Sequence, residues 1–292
     1  MKLGDEIRKS FKGSIFENEV LSGRTWYQIG GPCDYYCIPD DLESLKHLTD
    51  ACDRLAIAYF IHGKGSNLLV SDAGFRGAVI DLSVACSFTR IQETQVEAGA
   101  GVPMPKLVLE CEKAGLGGLE MFAGIPGTLG GAIKMNAGCH GKEIFDVLAT
   151  VTILQGGKTE TYARKQIEFS YRHVKTFEKD SMVILSGQLL LEKAETDILA
   201  ARRKEFMKQR QQTQPIHLPS SGSVFKNPKN DHAARLIEQC GLKGHAIGKA
   251  MVSGKHANFI VNTGGARADD VLQLMKLARH KVQEQFGITL EL

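Results

Sequence analysis

GLEMFAGIPGTLGGAIKMNAG, residues Gly118 to Gly138, places five glycines and one proline between Gly124 and Gly138 in an otherwise apolar segment. Glycine admits positive φ and lets a backbone approach another group closely, at a cost of roughly 0.5–1 kcal/mol each relative to alanine in regular structure. Something must offset that cost. Pro126 suits the first turn of a short helix. The amides around Gly127, Thr128, Gly130 and Gly131 then point outward as an unpaired set, a ready anion site. One reading is a cradle for a phosphate or a flavin. The other is a tight, buried glycine-rich crossing between two packed layers. No standard nucleotide fingerprint is spelled here, and these residues alone leave both open.

Upstream, Val102 to Lys113 reads as a helix closed by Gly115. Gly77 to Gly101 alternates apolar and polar residues, as hairpin-forming strands do. Before it, His62-Gly63-Lys64-Gly65-Ser66-Asn67 runs into the strand-like triplet Leu68-Leu69-Val70, where a Rossmann site would begin a helix. A glycine turn with Ser66 and Asn67 between two strands can form a nest of amides that holds a pyrophosphate, and Lys64 adds charge. Asp34 to Pro39, a helix capped at Asp40-Asp41 with Leu42, Leu45, Leu48 and Ala51 at helical spacing, and Ile57 to Ile61 make a βαβ unit. Arg24 to Pro32 mixes a strand with a turn. Residues 1–20 are charged and weakly periodic, read as a short helix.

Downstream, strands are expected over Leu148 to Leu154, Lys158 to Ala163 and Met182 to Leu191. An amphipathic helix follows from Ala194 to Gln212, its Arg202-Arg203-Lys204 cluster read as a solvated face. The last third opens on Pro219 to Pro228, a turn into a short strand carrying Ser223. That hydroxyl either ends a strand or acts as a proton donor aided by neighbouring cations. A helix from Ala233 to Cys240, a strand from Ala257 to Asn262 and a final helix complete a β-α-β-α order, that of a small α/β layer domain. Asp269-Asp270 near the start of the final helix and Arg279-His280-Lys281 toward its end complement its dipole.

A chain of 292 residues exceeds the usual single core, so two or three subdomains are expected. The net charge of +3 is spread without a long basic block, which favours anionic small molecules at local sites over a nucleic-acid surface. Seven scattered cysteines with no CxxC pair indicate neither a disulfide framework nor a zinc site, and no metal is expected. Reduced cytoplasmic thiols fit this usage. The N-terminal MKLGDEIRKSFKGS has no apolar h-region, and no window approaches ~18 consecutive apolar residues, so neither a secretion signal nor a membrane span is expected.

Taken together and in order, TWYQIGGP, HGKGSNLLVSDAGFRG, GLEMFAGIPGTLGGAIKMNAG, FSYRHV, SSGSVFKNP, RLIEQCGLKG and HANFIVNTGGARADDV resemble the UDP-N-acetylenolpyruvoylglucosamine reductases, flavoenzymes of peptidoglycan precursor synthesis. The resemblance covers nearly the whole chain. With no insertion between Asn227 and the last helix, the chain is similar to the shorter branch of the family, which lacks a tyrosine-bearing substrate loop.

The resemblance implies an α+β fold: a two-part FAD-binding region of the vanillyl-alcohol-oxidase/PCMH type, residues 1–195 with subdomains of about 1–70 and 71–195, then a small α/β substrate-binding domain, 196–292. It implies non-covalent FAD, with Gly63, Lys64, Gly65, Ser66 and Asn67 at the pyrophosphate and Gly124, Ile125, Pro126, Gly127, Thr128, Gly130 and Gly131 against the cofactor. NADPH and the UDP-sugar enolpyruvyl ether would use one cleft in turn. Arg172 matches the family's cation for the substrate carboxylate, and Ser223 matches the proton donor. Tyr171, Lys226, Asn227 and Asn262 are carried over as substrate contacts. A cytoplasmic monomer is expected, serving cell-wall synthesis and through it cell shape and division, with neither nucleic-acid nor membrane partners.

Three departures stand out. Tyr171-Arg172-His173-Val174 lacks the hydroxyl of the family's Tyr-Arg-x-Ser. Ile247-Gly248-Lys249-Ala250 and Ser253-Gly254 replace the more usual double glycine and Glu-Lys. The family's catalytic glutamate lies two residues after a Leu-Glu-type pair, and the sequence ends at Leu290-Glu291-Leu292, one residue before it. A shortened chain, substitution by Glu291 or the Leu292 carboxylate, and impaired catalysis are the three readings. Alternatives of other classes are an FAD oxidase or dehydrogenase of the same fold, told by a flavin-linking histidine or cysteine and rapid reaction with oxygen, and a non-catalytic FAD or UDP-sugar binding relic, told by bound flavin without turnover. A nucleic-acid binder using the Arg202 to Arg210 helix would need a concentrated basic face and steep salt dependence.

Overall fold

The computed structural model describes Leu3 and residues 11–292 except Asp180. Two compact units result: Met1–Glu19, Cys33–Lys64 and Arg76–Met207 form the first, and Val20–Pro32, Gly65–Phe75 and Lys208–Leu292 the second. Both are discontinuous. The expected contiguous scheme with a break at 195 differs on two counts, since Val20–Pro32 and Gly65–Phe75 join the C-terminal residues, and the break falls inside a helix at 207/208.

The first unit is built on two larger sheets. One is four-stranded, from β1 (Gly13–Val20), β2 (Pro32–Pro39), β3 (Tyr59–His62) and β4 (Phe75–Asp81), in the order β1-β2-β4-β3. Strands β3 and β4 pair in parallel, Tyr59 opposite Ala78 and His62 opposite Asp81. Because β4 lies between β2 and β3, the expected βαβ unit skips one strand. Its helix α1 (Leu42–Arg54) starts where Asp41 accepts the Ser44 amide at 2.8 Å, an N-cap, and buries Leu45, Leu48, Ala51 and Cys52 on one face. The short helix read over 1–20 lies outside the described residues for 1–10 apart from Leu3, and 13–20 are strand β1.

The second sheet is antiparallel. It uses β5 (Thr89–Gln92), β6 (Gln95–Gly99), β7 (Leu148–Gln155), β8 (Lys158–Ala163) and, after the short hairpin β9 (Phe169–Ser170) with β10 (His173–Val174), β11 (Val183–Leu190). Its order is β8-β7-β11-β6-β5. Only β5 and β6 of the stretch from Gly77 to Gly101 form a hairpin, since Ala78 to Asp81 face the parallel strand. Helices α2 (Met104–Lys113) and α3 (Leu129–Lys134) bury Leu107, Val108, Cys111, Leu129 and Ile133 in the same core.

Helix α4 (Thr196–Thr213) corrects two expectations. It buries only Leu199, so it is not amphipathic, and its arginines are not simply solvated. Arg203 makes a two-point bond to Glu112, Nε to Oε2 at 2.6 Å and Nη2 to Oε1 at 3.2 Å. Arg202 lies 3.6 Å from Glu120, whose other oxygen accepts the Gly118 amide at 2.6 Å. Of the cluster read as solvent-facing, Arg203 is thus committed to a carboxylate, while Arg202 and Lys204 are exposed as expected.

In the second unit α5 (Ala233–Gln239), the antiparallel strands β12 (Ala246–Ile247), β13 (Ala250–Val252) and β14 (Ile260–Asn262), and α6 (Ala268–Phe286) follow in an α-β-β-β-α order, not the β-α-β-α expected. Val271, Leu274, Ala278 and Val282 form the buried stripe of α6. Its first turn carries Asp269 and Asp270, but Arg279 to Lys281 lie before the last turn, which has no basic residue. Leu68–Val70, Arg24–Gly31 and the residues around Ser223 make no regular strand.

Glycines in this unit permit backbone-on-backbone contact. Gly74, at φ +81°, leaves no room for a side chain: a Cβ would lie 1.7 Å from the Pro32 carbonyl oxygen. Gly31 donates to Ser71 at 2.9 Å across the same crossing. Gly74→Ala is expected to lower stability by about 2–4 kcal/mol, combining a left-handed backbone with a clash that no side-chain movement relieves. A denaturant midpoint unchanged from the parent would contradict this packing.

Candidate active site

The glycine-rich stretch divides its work between both sequence readings. The helix begins at Leu129, not Pro126, with Thr128 as N-cap. Gly130 serves the packed crossing: its amide donates to the Ala100 carbonyl at 2.9 Å, and a Cβ would lie 2.7 Å from that of Ala100. Gly131 donates to Thr128 Oγ1 at 3.4 Å. The expected set of four open amides is therefore reduced to Gly127 and Thr128. The Met104 amide donates to Gly127 O at 3.0 Å and the Leu129 amide to Val102 O at 2.9 Å, pinning the loop while the Gly127 and Thr128 amides meet no protein acceptor among the described residues. Gly124 closes a 3-10 turn and Ile125 caps it.

Gly63 lies against this loop, since a Cβ there would sit 2.8 Å from Thr128 Oγ1. The amides of Gly63 and Lys64 likewise have no protein acceptor among the described residues. Gly65, Ser66 and Asn67, in the second unit, share that property, with Gly65 in the left-handed region at φ +60° and its carbonyl accepting the Trp26 amide at 3.1 Å. Open amides on glycine turns suit oxyanions such as a cofactor diphosphate. The residues present fit FAD on that ground.

Arg172 occupies the second position of the two-residue turn between β9 and β10, at φ +55°, a conformation costly for a side-chain-bearing residue. Its guanidinium repays this with bonds within the first unit. Nη1 donates to Asn136 O at 3.0 Å and to Glu143 Oε1 at 3.3 Å, and Nη2 donates to Gly138 O. Glu143 is itself fixed by Asn136 Nδ2 at 2.7 Å. Nε–H and the second Nη2–H have no acceptor among the described residues, which leaves a two-donor edge of the shape that grips a carboxylate. Tyr171 is exposed, its ring 4.8 Å from the guanidinium carbon.

In the second unit Ser223 is exposed, and its hydroxyl makes no hydrogen bond among the described residues. Lys226 donates its amide to Glu291 O at 2.7 Å, and its ammonium lies 3.9 Å from Glu291 Oε2. Two of the four residues carried over as substrate contacts also have structural work. Asn227 Oδ1 accepts the Ala233 amide at 3.1 Å, opening α5. Asn262 is buried: Nδ2 donates to Tyr27 O at 3.0 Å and Gln28 O at 3.5 Å, while Oδ1 accepts from Gly264 at 2.9 Å and Ala266 at 3.0 Å. No capacity remains for a ligand. Asn262→Ala is expected to cost about 2–5 kcal/mol, because a buried carbonyl and two amides lose their partner. Equilibrium unfolding measures it, and a loss below about 0.5 kcal/mol would contradict this role.

Among the described residues no cluster of His, Cys, Asp or Glu is arranged to hold a metal ion. Nor do the buried cysteines offer a nucleophile: burial pushes the thiols of Cys37, Cys52, Cys86 and Cys111 up to about 12 and that of Cys33 up to about 11. No helix among the described residues is long and apolar enough to cross a membrane.

Residues 33–161 match the family model described as FAD binding domain. An alkyldihydroxyacetonephosphate synthase structure, 15% identical, aligns with a TM-score of 0.50 over 65% of this chain and 40% of its own, a likeness of fold alone. The FAD-domain match and the open amides define an FAD-binding protein. Residues 214–292 match the C-terminal domain of UDP-N-acetylenolpyruvoylglucosamine reductase. The reductase of that name from Bacillus velezensis is 40% identical over 97% of this chain and 94% of its own. The crystal structure of the UDP-N-acetylenolpyruvylglucosamine reductase from Thermus caldophilus, 34% identical, superposes with a TM-score of 0.80 over 96% of this chain and 97% of that one. The chain belongs to the UDP-N-acetylenolpyruvoylglucosamine reductase family.

Proposed function

We propose that this chain reduces UDP-N-acetylglucosamine enolpyruvate to UDP-N-acetylmuramate with NADPH, a step of peptidoglycan precursor synthesis. The observation that carries the reading, beside full-length kinship, is the open Nε and Nη2 edge of a guanidinium held fast on its other side. FAD, when bound, supplies hydride exchange between NADPH and the substrate. The amides of Gly63, Lys64, Gly127 and Thr128 would hold its diphosphate.

Arg172 receives the substrate carboxylate on its open edge. Addition of hydride at the terminal vinyl carbon drives negative charge toward that carboxylate, so the guanidinium binds the transition state more strongly than the ground state. Ser223 then gives its hydroxyl proton to the adjacent carbon: an O–H bond breaks, a C–H bond forms, and water returns the proton to the serine. Lys226, three residues on, stabilises the transient alkoxide. Tyr171 packs against the bound substrate. The reaction belongs in the cytoplasm, a setting supported by seven cysteines free of disulfides.

The test is NADPH consumption that depends on the enolpyruvyl ether and yields a UDP-sugar heavier by two hydrogens. Consumption with no change in product mass would refute the assignment.

A further inference from the structure

Ser223 stands on a stretch that strand pairing alone does not hold. Its one ladder contact is an isolated antiparallel bridge to Phe259. The next residues are fastened by a side chain. Asn258 accepts the Val224 amide on its backbone oxygen at 2.9 Å, accepts the Phe225 amide on Oδ1 at 3.0 Å, and donates from Nδ2 to Phe225 O at 2.8 Å. A carboxamide presents a donor and an acceptor much as a peptide group does, so Asn258 replaces a missing strand neighbour. Asn258, Val224 and Phe225 are all buried, while Ser223 faces outward. The backbone of this stretch is therefore anchored one and two residues from the hydroxyl.

We propose that Asn258 is a positioning residue for proton delivery, fixing the backbone from which Ser223 presents its hydroxyl. The inference rests on the reading of Ser223 as the proton donor. Proton transfer requires the donor oxygen within about 2.6–3.2 Å of the heavy atom that receives the proton. A displacement of about 1 Å can cost 10²-fold in rate. Phe225 alone has two backbone groups that depend on this one side chain.

The experiment uses the full chain loaded with FAD and four variants: Asn258→Ala, Asn258→Gln, Ser223→Ala and Asn258→Ala with Ser223→Ala. The reduction of bound flavin by NADPH and its reoxidation by the enolpyruvyl substrate are timed separately, and amide exchange at Phe225 is followed in the cofactor-free protein. Asn258→Ala is expected to slow substrate-driven reoxidation about 10–100-fold, change NADPH-driven reduction less than about twofold, and speed exchange at Phe225. In the Ser223→Ala background the same change should add less than about twofold, since both act on one proton transfer. Asn258→Gln keeps both hydrogen-bonding groups one methylene out of place, so it answers the question with a folded protein if alanine does not fold. Its reoxidation should slow as well.

Independent, multiplicative losses in the double variant, or equal losses in both half-reactions, would overturn the proposal. Ser223→Ala with normal reoxidation would remove the serine reading, and this inference with it. A Ser223-sensitive enzyme indifferent to both Asn258 variants would remove this inference alone.

Discussion

Replacing Ser223 by alanine is expected to slow reduction of the enolpyruvyl substrate by about 10²- to 10⁴-fold, the range for losing a positioned general acid. NADPH oxidation with an artificial electron acceptor should persist. The selectivity follows from the geometry. Ser223 is exposed and its hydroxyl bonds to nothing among the described residues, so its loss leaves no buried group unsatisfied. Val224 and Phe225 keep their bonds to Asn258, and Lys226 keeps its bond to Glu291. The measurement is stopped-flow timing of the two half-reactions. An equal fall in both would mean that the serine supports cofactor binding or folding, not proton delivery.

Arg172→Lys is expected to reduce kcat/KM by about 10²- to 10³-fold, the cost of losing one preorganised donor to developing charge. Most of it should fall on kcat, because the charge that the guanidinium meets exists mainly in the transition state. Lysine keeps the positive charge but not the fork. Its ammonium cannot reach Asn136 O, Gly138 O and Glu143 together and still offer two parallel donors to a carboxylate. The backbone strain at φ +55° remains, now without the bonds that hold it. Steady-state kinetics on the FAD-loaded variant check this, and a change confined to KM would point to uniform substrate binding instead.

Much of the fold was legible where local chemistry decided it. Asp41 sits directly before a run of apolar residues at helical spacing, and it caps α1. The strands expected over Leu148 to Leu154 and Lys158 to Ala163 form, joined by a turn in which Gly156 and Gly157 take positive φ. Failures came where a distant partner overrode the local pattern. Leu68-Leu69-Val70 has the composition of a strand but finds no ladder neighbour, and the nearby Asp72 serves a helix far along the chain. Its carboxylate accepts the Ala268 amide at 2.9 Å and the Asp269 amide at 3.3 Å, capping α6 from outside. Nothing in the sequence near Arg267 signals that.

The candidate site shows the same division. Motif identity singled out Arg172, Ser223 and both glycine turns as candidates. It did not reveal that Asn262 spends all its hydrogen-bonding capacity on the loop from Tyr27 to Gln28 and on the turn at Gly264, because both its amide protons are used up by residues more than 230 positions away. Nor did it distinguish Gly130, a packing glycine, from Gly127, whose amide stays open. Asn258 was missed for the same reason. It lies in the quoted HANFIVN segment, and only the fold shows its carboxamide lying across Phe225.

The most direct test of the central claim is an anaerobic absorbance trace near the flavin band, with NADPH added first and UDP-N-acetylglucosamine enolpyruvate second. This account predicts bleaching on the first addition and prompt recovery on the second, with UDP-N-acetylmuramate as product. A band that bleaches with NADPH and fails to recover when the enolpyruvyl substrate is added would contradict it.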